Sequence, residues 1–367
     1  MITYFFRMPV YSRQIALFTF LVILEVFSTG DTLAAVRLAI PKDGVYTGAY
    51  IDFGETEDNV TSEAITNFES LVNKRLAIVA FSSYWGERSF PSKQVATIAA
   101  AGAIPLIFWS PWDSPYREYD GKPLSPPNPI NLHSILAGKF DTYIDRWADA
   151  AKSHEGRPML VAWGLEMNGQ WFPWSGIFHG AGKHIQGKSG YLGPETYKRA
   201  YRYVVDRVRT RGATDIIWVF QTNGYSIPET PWNRMAEYYP GSDYVDWLGM
   251  SAYGKQFSYQ DWATPVEAMD KPYQELIKVD PAKPVILAEW GVGEFPKSGS
   301  KAFYIRDTLQ RITSHYSRIK AAIFWHERWQ NQDETVSDLR VNSSQDALRE
   351  YQRGIANALW LDRPEFH

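Results

Sequence analysis

Residues 159–165 read Met-Leu-Val-Ala-Trp-Gly-Leu, a short apolar run that leads directly into Glu166. An amphipathic stretch with helical spacing, Glu195–Thr210, follows it along the chain. A short apolar run followed by an amphipathic helix is typical of a βα unit. The same alternation recurs from Val36 onward, and this recurrence decides the predicted fold class.

Eight apolar runs are predicted to be strands: Tyr46–Phe53, Leu76–Phe81, Ile104–Trp109, Met159–Leu165, Ile216–Phe220, Trp247–Ser251, Val285–Ala288 and Ala321–Trp325. Helical patterns are found at Phe140–Lys152, Glu195–Thr210, Pro265–Val279, Phe303–Ser314 and Ser344–Leu359. Eight βα units in one chain favour a closed parallel barrel over an open doubly wound sheet. We therefore predict an α/β fold, a single-domain (β/α)8 barrel over residues 36–362.

The composition agrees with this fold and excludes several kinds of site. A chain of 367 residues accommodates a barrel of roughly 250 residues with long loops. A formal charge of −3 provides no net electrostatic attraction to the phosphates of a nucleic acid, so no nucleic-acid partner is expected. The chain has no cysteine, which excludes disulfides, zinc-thiolate sites and a cysteine nucleophile. Aromatic residues make up 15%; they indicate either a rich core or surfaces on which sugars stack.

The first 35 residues have the layout of a signal peptide. Arg7 and Arg13 precede the apolar run Ile15–Leu24, and a stretch rich in small residues follows, ending in Thr32-Leu33-Ala34-Ala35. We therefore expect a secreted or periplasmic protein with no stable membrane span after cleavage. The alternatives are a buried helix of the fold and an uncleaved anchor, although a membrane span usually needs about 18 apolar residues and Glu25 interrupts this run.

The segments that follow the predicted strands are rich in aromatic and polar residues. They are Trp109–Asp113, Gln170–Trp174, Gln221–Gly224, Tyr253–Gly254 and Trp325–Glu327. In a barrel, the carboxyl ends of all strands meet on one face, and active sites form there. The sequence therefore predicts one aromatic cleft built from distant segments.

Two carboxylates are the best candidates for chemistry in this cleft. The chain has no complete G-x-S-x-G, phosphate-loop, H-E-x-x-H or dinucleotide motif, so no metal and no cofactor are expected. Glu166 and Glu289 each directly follow an apolar run. Glycoside hydrolysis needs one protonated and one ionised carboxyl group, and apolar neighbours at a barrel mouth raise a pKa. A satisfied structural acid is the alternative at each position.

The sequence motifs around these two residues resemble those of glycoside hydrolase family 26. Glu166-Met167-Asn168-Gly169 with Trp171-Phe172-Pro173-Trp174 resembles the acid/base signature of that family, and Ala288-Glu289-Trp290-Gly291 resembles its nucleophile segment. Weaker matches run in order through most of residues 45–330. The family implies a (β/α)8 barrel and net retention of anomeric configuration. It also implies endo-type attack on β-mannan, mixed-linkage β-glucan or β-1,3-xylan.

The resemblance also implies roles for individual residues. Glu166 is expected to be the acid/base and Glu289 the nucleophile, with carboxyl groups about 5–5.5 Å apart. Tyr253 is expected to orient the nucleophile. The other residues expected to bind the polysaccharide substrate are Asn168, Trp171, Trp174, Trp325 and Trp112. Core packing is the alternative for each of the tryptophans. We expect the enzyme to be a monomer.

One departure from the family pattern concerns the substrate. Many mannanases of the family have His directly before the acid/base and Arg four residues before it, whereas this chain has Leu165 and Ala162. Mannan and β-glucan therefore both stay open. A non-catalytic carbohydrate binder and an accessory protein of polysaccharide export stay open as alternatives to an enzyme, because a fold alone does not establish activity.

Overall fold

Eight parallel strands close into a barrel at the centre of the protein. They are Val45–Ile51 (β1), Ile78–Tyr84 (β2), Ile104–Ser110 (β3), Met159–Trp163 (β4), Ile216–Asn223 (β5), Trp247–Tyr253 (β6), Val285–Gly291 (β7) and Ile319–His326 (β8). The strands pair in chain order, and β8 pairs with β1 to close the sheet. Both faces of such strands are covered, which is why they appear as continuous apolar runs. The predicted (β/α)8 barrel is confirmed.

The computed structural model describes residues 36–86, 89–113, 130–154, 156–331 and 333–367. The predicted signal segment lies outside these ranges. No helix within them is long and apolar enough to cross a membrane.

Eight α-helices are present in the described residues, and most of them cover the outside of the barrel. They are Ser62–Val72 (α1), Ser92–Ala100 (α2), Leu132–Leu136 (α3), Asp141–Lys152 (α4), Leu192–Thr210 (α5), Pro265–Val279 (α6), Lys301–Ser314 (α7) and Gln345–Ile355 (α8). Helix α6 has its predicted bounds because Thr264 and Glu267 form a capping box and Pro265 occupies the first turn.

The last helix ends four residues earlier than predicted. The backbone N–H of Leu359 donates to Oδ1 of Asn357 at 2.9 Å, and such a local turn competes with helical hydrogen bonding. The chain then forms the short strand Trp360–Leu361, which pairs in parallel with β1. Two other short strands, Arg328–Gln330 and Val336–Asp338, form an antiparallel hairpin after β8.

The fourth strand also ends before its predicted boundary. It stops at Trp163, and the next residue, Gly164, has a φ of +57°. A left-handed residue cannot continue a strand, so the chain turns here. Glu166 consequently lies in a tight turn above β4, not on the strand itself.

Candidate active site

Glu289 projects from an irregular part of β7. Its neighbour β6 pairs Met250 with Leu287 but pairs Ser251 with Glu289, so the register shifts by one residue at Ala288. The pairing of β7 with β8 is interrupted in the same place. A bulge of this kind re-aims a side chain, and bulges are frequent beside active sites. It places the Glu289 carboxyl group at the mouth of the barrel on a rigid strand.

Glu166 is held by backbone contacts in the turn after β4. Its N–H donates to the carbonyl of Gln221 at 2.9 Å, and its own carbonyl accepts from Gly169. Its φ of +54° is uncommon for a residue with a side chain. Such backbone strain is concentrated at functional sites.

Steric crowding explains why the last position of the Glu-Met-Asn-Gly motif is a glycine. A Cβ at Gly169 would lie 2.5 Å from the indole of Trp171. The absence of a side chain therefore lets the Trp171 ring fold back over the turn. There its Nε1 donates to Oε2 of Glu166 at 2.8 Å, which connects the aromatic part of the motif to its carboxylate.

A chain of hydrogen bonds links the two carboxyl groups. Nε2 of Gln221, at the end of β5, donates to Oε1 of Glu289 at 2.8 Å and to the Ser251 hydroxyl at 3.0 Å. Ser251 in turn hydrogen-bonds the Glu166 carboxyl group and thereby lowers its pKa. The other oxygen of Glu289, Oε2, accepts from the Tyr253 hydroxyl at 2.8 Å. Both oxygens of Glu289 thus face donors, which suits an ionised carboxylate.

Burial and mutual repulsion control ionisation of the pair. Burial raises the pKa of Glu166, whereas hydrogen bonds from Ser251 and Trp171 lower it. Burial raises the pKa of Glu289 and the negative charge of Glu166 raises it further, whereas hydrogen bonds from Tyr253 and Gln221 lower it. Each side chain is only 8% exposed. Two such groups disfavour each other's ionisation and retain one proton between them, as an acid and nucleophile pair requires.

A cleft opens beside Glu289, on the side of β8, β1, β2 and β3. Trp325 and Trp112 line it, with exposed fractions of 8% and 6%. Tyr50 stacks behind the Trp325 ring at a centroid distance of 4.0 Å, and Glu327 accepts from its Nε1 at 2.7 Å. Trp325 is therefore held rigidly with its edge and remaining surface toward the cleft.

Two residues that were expected to bind substrate, Trp174 and Asn168, are instead buried in contacts within the protein. Trp174 is 1% exposed, stacks on Phe172 and donates its Nε1 to the carbonyl of Leu165 at 2.7 Å. Asn168 is fully buried, and it donates to the Asn223 carbonyl and the Ser226 hydroxyl while accepting from the Asn223 N–H. Both residues join the turn that carries Glu166 to neighbouring segments, and neither presents a free face to the cleft.

Replacing Asn168 by alanine is expected to lower the free energy of unfolding by about 2–4 kcal/mol, because buried hydrogen-bonding groups of the partner loop lose their partner. Urea denaturation followed by tryptophan fluorescence measures the change. Asn67→Ala on the exposed face of α1 is the matched control and should shift stability by less than about 0.5 kcal/mol. Equal, small shifts for both variants would contradict the structural role of Asn168.

The structure brings Glu166, Glu289, Tyr253 and Trp171 together as expected from the sequence motifs. Sequence reasoning assigned no role to Gln221 and Ser251, although Gln221 directly follows the predicted strand Ile216–Phe220 and Ser251 ends the predicted strand Trp247–Ser251. It also overlooked Glu57 and Glu327. Glu327 could have been found, because it lies two residues after the predicted strand Ala321–Trp325, whereas Glu57 lies four residues beyond Tyr46–Phe53 and has no such signal.

Comparisons with known proteins agree with this geometry. Endoglucanase H of Acetivibrio thermocellus is 29% identical over 317 residues, which are 85% of this chain and 30% of that protein. A mannan endo-1,4-beta-mannosidase of Bacillus subtilis (strain 168) is 28% identical over 202 residues, 54% of this chain and 48% of that protein. The chain thus spans between about a third and a half of the length of these relatives.

A solved structure shows the same fold. Bacillus subtilis mannanase man26 superimposes with a TM-score of 0.58 at 17% identity, over 88% of this chain and 87% of that one. The sequence profile of glycosyl hydrolase family 26 matches residues 131–330, a range that contains both buried carboxylates and the whole Glu-Met-Asn-Gly motif. With its barrel and its linked pair of glutamates, this chain belongs to glycosyl hydrolase family 26.

Proposed function

We propose that this protein is a retaining endo-β-glycosidase that hydrolyses a β-linked polysaccharide. The observation that carries the proposal is the buried pair Glu166 and Glu289, joined through Ser251 and Gln221 at the mouth of the barrel. Family membership supports the same activity. The chemistry needs no group beyond these side chains and water.

The reaction has two displacements. The ionised Glu289 attacks the anomeric carbon while the protonated Glu166 gives its proton to the departing glycosidic oxygen, leaving a sugar esterified to Glu289. Glu166, now ionised, takes a proton from water as the water oxygen attacks the same carbon and releases the Glu289 carboxylate. Trp171 stabilises the ionised form of Glu166 between the two steps, because its indole N–H donates to that carboxyl group.

We propose a β-glucan as the substrate. Endoglucanase H aligns with 85% of this chain, whereas the Bacillus subtilis mannosidase aligns with 54%. The apolar Leu165 and Ala162 stand where many mannanases have His and Arg. Mannan is the second candidate, supported by the similarity to the Bacillus subtilis mannan endo-1,4-beta-mannosidase, which is 28% identical over 202 residues. The signal-peptide layout of residues 1–35 supports export, and we propose that the enzyme acts as a monomer.

Reducing-sugar release on a panel of polymers tests the activity and the substrate together. The panel contains mixed-linkage β-glucan, cellulose, mannan, glucomannan and β-1,3-xylan, with Glu289→Ala as the inactive control. We expect release from the glucans that the control lacks. Polymer binding without release from any substrate would favour the carbohydrate-binder alternative. Proton NMR of the first product should show the β-anomer, and an α-anomer would overturn retention.

Tyr253→Phe is expected to lower kcat about 10- to 100-fold, because a hydrogen bond to a charged group contributes about 1.5–3 kcal/mol. The Tyr253 hydroxyl lowers the pKa of Glu289, so its loss raises that pKa. Activity requires ionised Glu289 and falls as pH drops through this pKa. The acidic limb of the pH–rate profile should therefore move to higher pH.

Tyr203→Phe is the matched control, since it removes only a hydrogen bond to Asp141 between α5 and α4 on the outer shell. Its kcat and acidic limb should equal those of the wild type. An unchanged acidic limb in Tyr253→Phe would refute the orienting role of Tyr253.

A further inference from the structure

Glu57 lines the cleft together with Glu289 and takes no part in the two displacements. Glu57 lies in the turn after β1, where its N–H donates to the Gly54 carbonyl at 2.8 Å and its carbonyl accepts from Ser82 at 3.0 Å. Its φ is +53°, a conformation that costs free energy for any residue with a side chain. The turn therefore directs this side chain at an energetic cost.

The Glu57 carboxyl group faces the same cleft as the candidate nucleophile. Glu57, Ser82, Ser110, Glu289 and Trp325 all line it. The Ser82 hydroxyl donates to one carboxyl oxygen of Glu57. Among the described residues, the other oxygen has no hydrogen-bond partner and no basic side chain forms an ion pair with this group.

The surroundings of Glu57 disfavour the ionised form of its carboxyl group. Burial raises the pKa of Glu57 to about 7, against the lowering effect of Ser82. Its negative charge also raises the pKa of Glu289. Glu57 is partly buried, and a carboxyl group withdrawn from water without a cationic partner lowers the stability of the folded protein. Its second carboxyl oxygen, beside the nucleophile in the cleft, is therefore available to a bound molecule.

We propose that Glu57 is a specificity-determining residue whose free carboxyl oxygen accepts a hydroxyl group of a substrate sugar. That sugar lies against Trp325 in the half of the barrel mouth formed by β8, β1, β2 and β3. A sugar presents hydroxyl donors around its edge and an apolar face to an aromatic ring. A carboxylate beside a rigid tryptophan matches both. Ser82 is a positioning residue, because its hydroxyl donates to the Glu57 carboxyl group. The inference rests on the proposed function.

The proposal places the sugar held by Glu57 against Trp325 and distinguishes it from the sugar attacked by Glu289, so the effect of substituting Glu57 should depend on substrate length. Glu57→Gln keeps the size of the side chain but replaces the charged acceptor. Hydrogen bonds to charged groups are among the stronger ones, so kcat/KM on the polymer and on long oligosaccharides should fall roughly 10- to 100-fold. Oligosaccharides too short to reach Glu57 should be cleaved at the wild-type rate. Glu55→Gln, an exposed acid in the same turn, is the matched control and should change neither value.

The experiment measures kcat/KM for mixed-linkage β-glucan oligosaccharides of two to six sugars with the full chain, or for manno-oligosaccharides if the polymer panel selects mannan. A length-dependent loss in Glu57→Gln, absent in Glu55→Gln, supports the proposal. Wild-type values at every length overturn it. An equal loss at every length also overturns it, since that is the result of a structural role. If Glu57→Gln does not fold, Ser82→Ala should show the same length dependence with a smaller loss.

Binding separates this proposal from the proposed hydrolysis. Calorimetric titration of the hexasaccharide compares Glu289→Ala with the double variant Glu289→Ala/Glu57→Gln. Weaker binding by the double variant supports the role of Glu57 even if the wild type hydrolyses no polymer of the panel. Equal affinities overturn that role, even if the wild type is an active glucanase.

Discussion

Replacing Glu289 by alanine is expected to reduce kcat on the polymer by on the order of 10⁴- to 10⁶-fold, as losses of a catalytic nucleophile do in other enzymes. No other group is hydrogen-bonded into the position that Glu289 occupies between Gln221 and Tyr253 in the described part of the chain. The barrel should remain folded, because the variant removes a buried, repelled charge and leaves β7 in place. Reducing-sugar release and circular dichroism measure the two effects.

Azide provides the decisive check on the role of Glu289. The alanine leaves space beside the anomeric carbon, on the face where the carboxylate would attack. An azide ion in that space can displace the leaving group, which Glu166 still protonates. The product expected from Glu289→Ala is therefore an α-glycosyl azide, with one inversion at the anomeric carbon. Substantial activity without azide, or a β-glycosyl azide, would remove Glu289 from the nucleophile role.

Glu166→Ala is expected to lower kcat on the polymer about 10²- to 10⁴-fold, the usual contribution of a positioned general acid. An aryl glycoside with a dinitrophenolate leaving group should lose far less in its first step, because that group departs without a proton. The sugar should then accumulate on Glu289, since water lacks its base. Mass spectrometry of the intact protein and the burst of released phenolate measure this accumulation.

The product with azide and the pH profile distinguish Glu166 from Glu289. In Glu166→Ala, azide attacks the glycosyl-enzyme and yields a β-glycosyl azide by two inversions. The wild type should lose activity as pH rises through the pKa of Glu166, which burial raises. The variant should lack this alkaline limb. Equal losses on the polymer and on the aryl glycoside would contradict an acid/base role. Asp52 is an exposed carboxylate after β1 and serves as the control. Asp52→Asn should leave the activity on both substrates and the pH profile unchanged.

The barrel could be predicted because its signal is local. Each parallel strand is covered on both faces and needs a short apolar run, and all eight runs form strands. The errors of the prediction concern the positions at which strands and helices end. Strand β4 stops before Leu165 because Gly164 turns left-handed, and the last helix stops early because Asn357 forms a local turn. Backbone turns of this kind depend on one or two residues and leave no periodic pattern.

The sequence predicted those residues of the candidate site that lie within recognisable motifs. Glu166 and Glu289 carry motifs, and the family resemblance assigns Trp171 to substrate binding. In the structure the indole N–H of Trp171 donates to Glu166. The same motifs could not show that Asn168 and Trp174 are packed away from the cleft. A buried asparagine and a sugar-binding asparagine have the same letter, and only the neighbours differ.

By itself, the sequence determined the eight βα units, the family and the two glutamates, because periodic hydrophobicity and short motifs are written in consecutive residues. Only the tertiary structure decided which groups surround those glutamates. Gln221 reaches Glu289 across 68 residues of chain, and Ser82 reaches Glu57 across 25. The closure of the barrel brings these strand ends together, and the burial that follows gives the carboxyl groups their raised pKa values. Contact and desolvation are properties of the folded chain, so no run of residues could specify them.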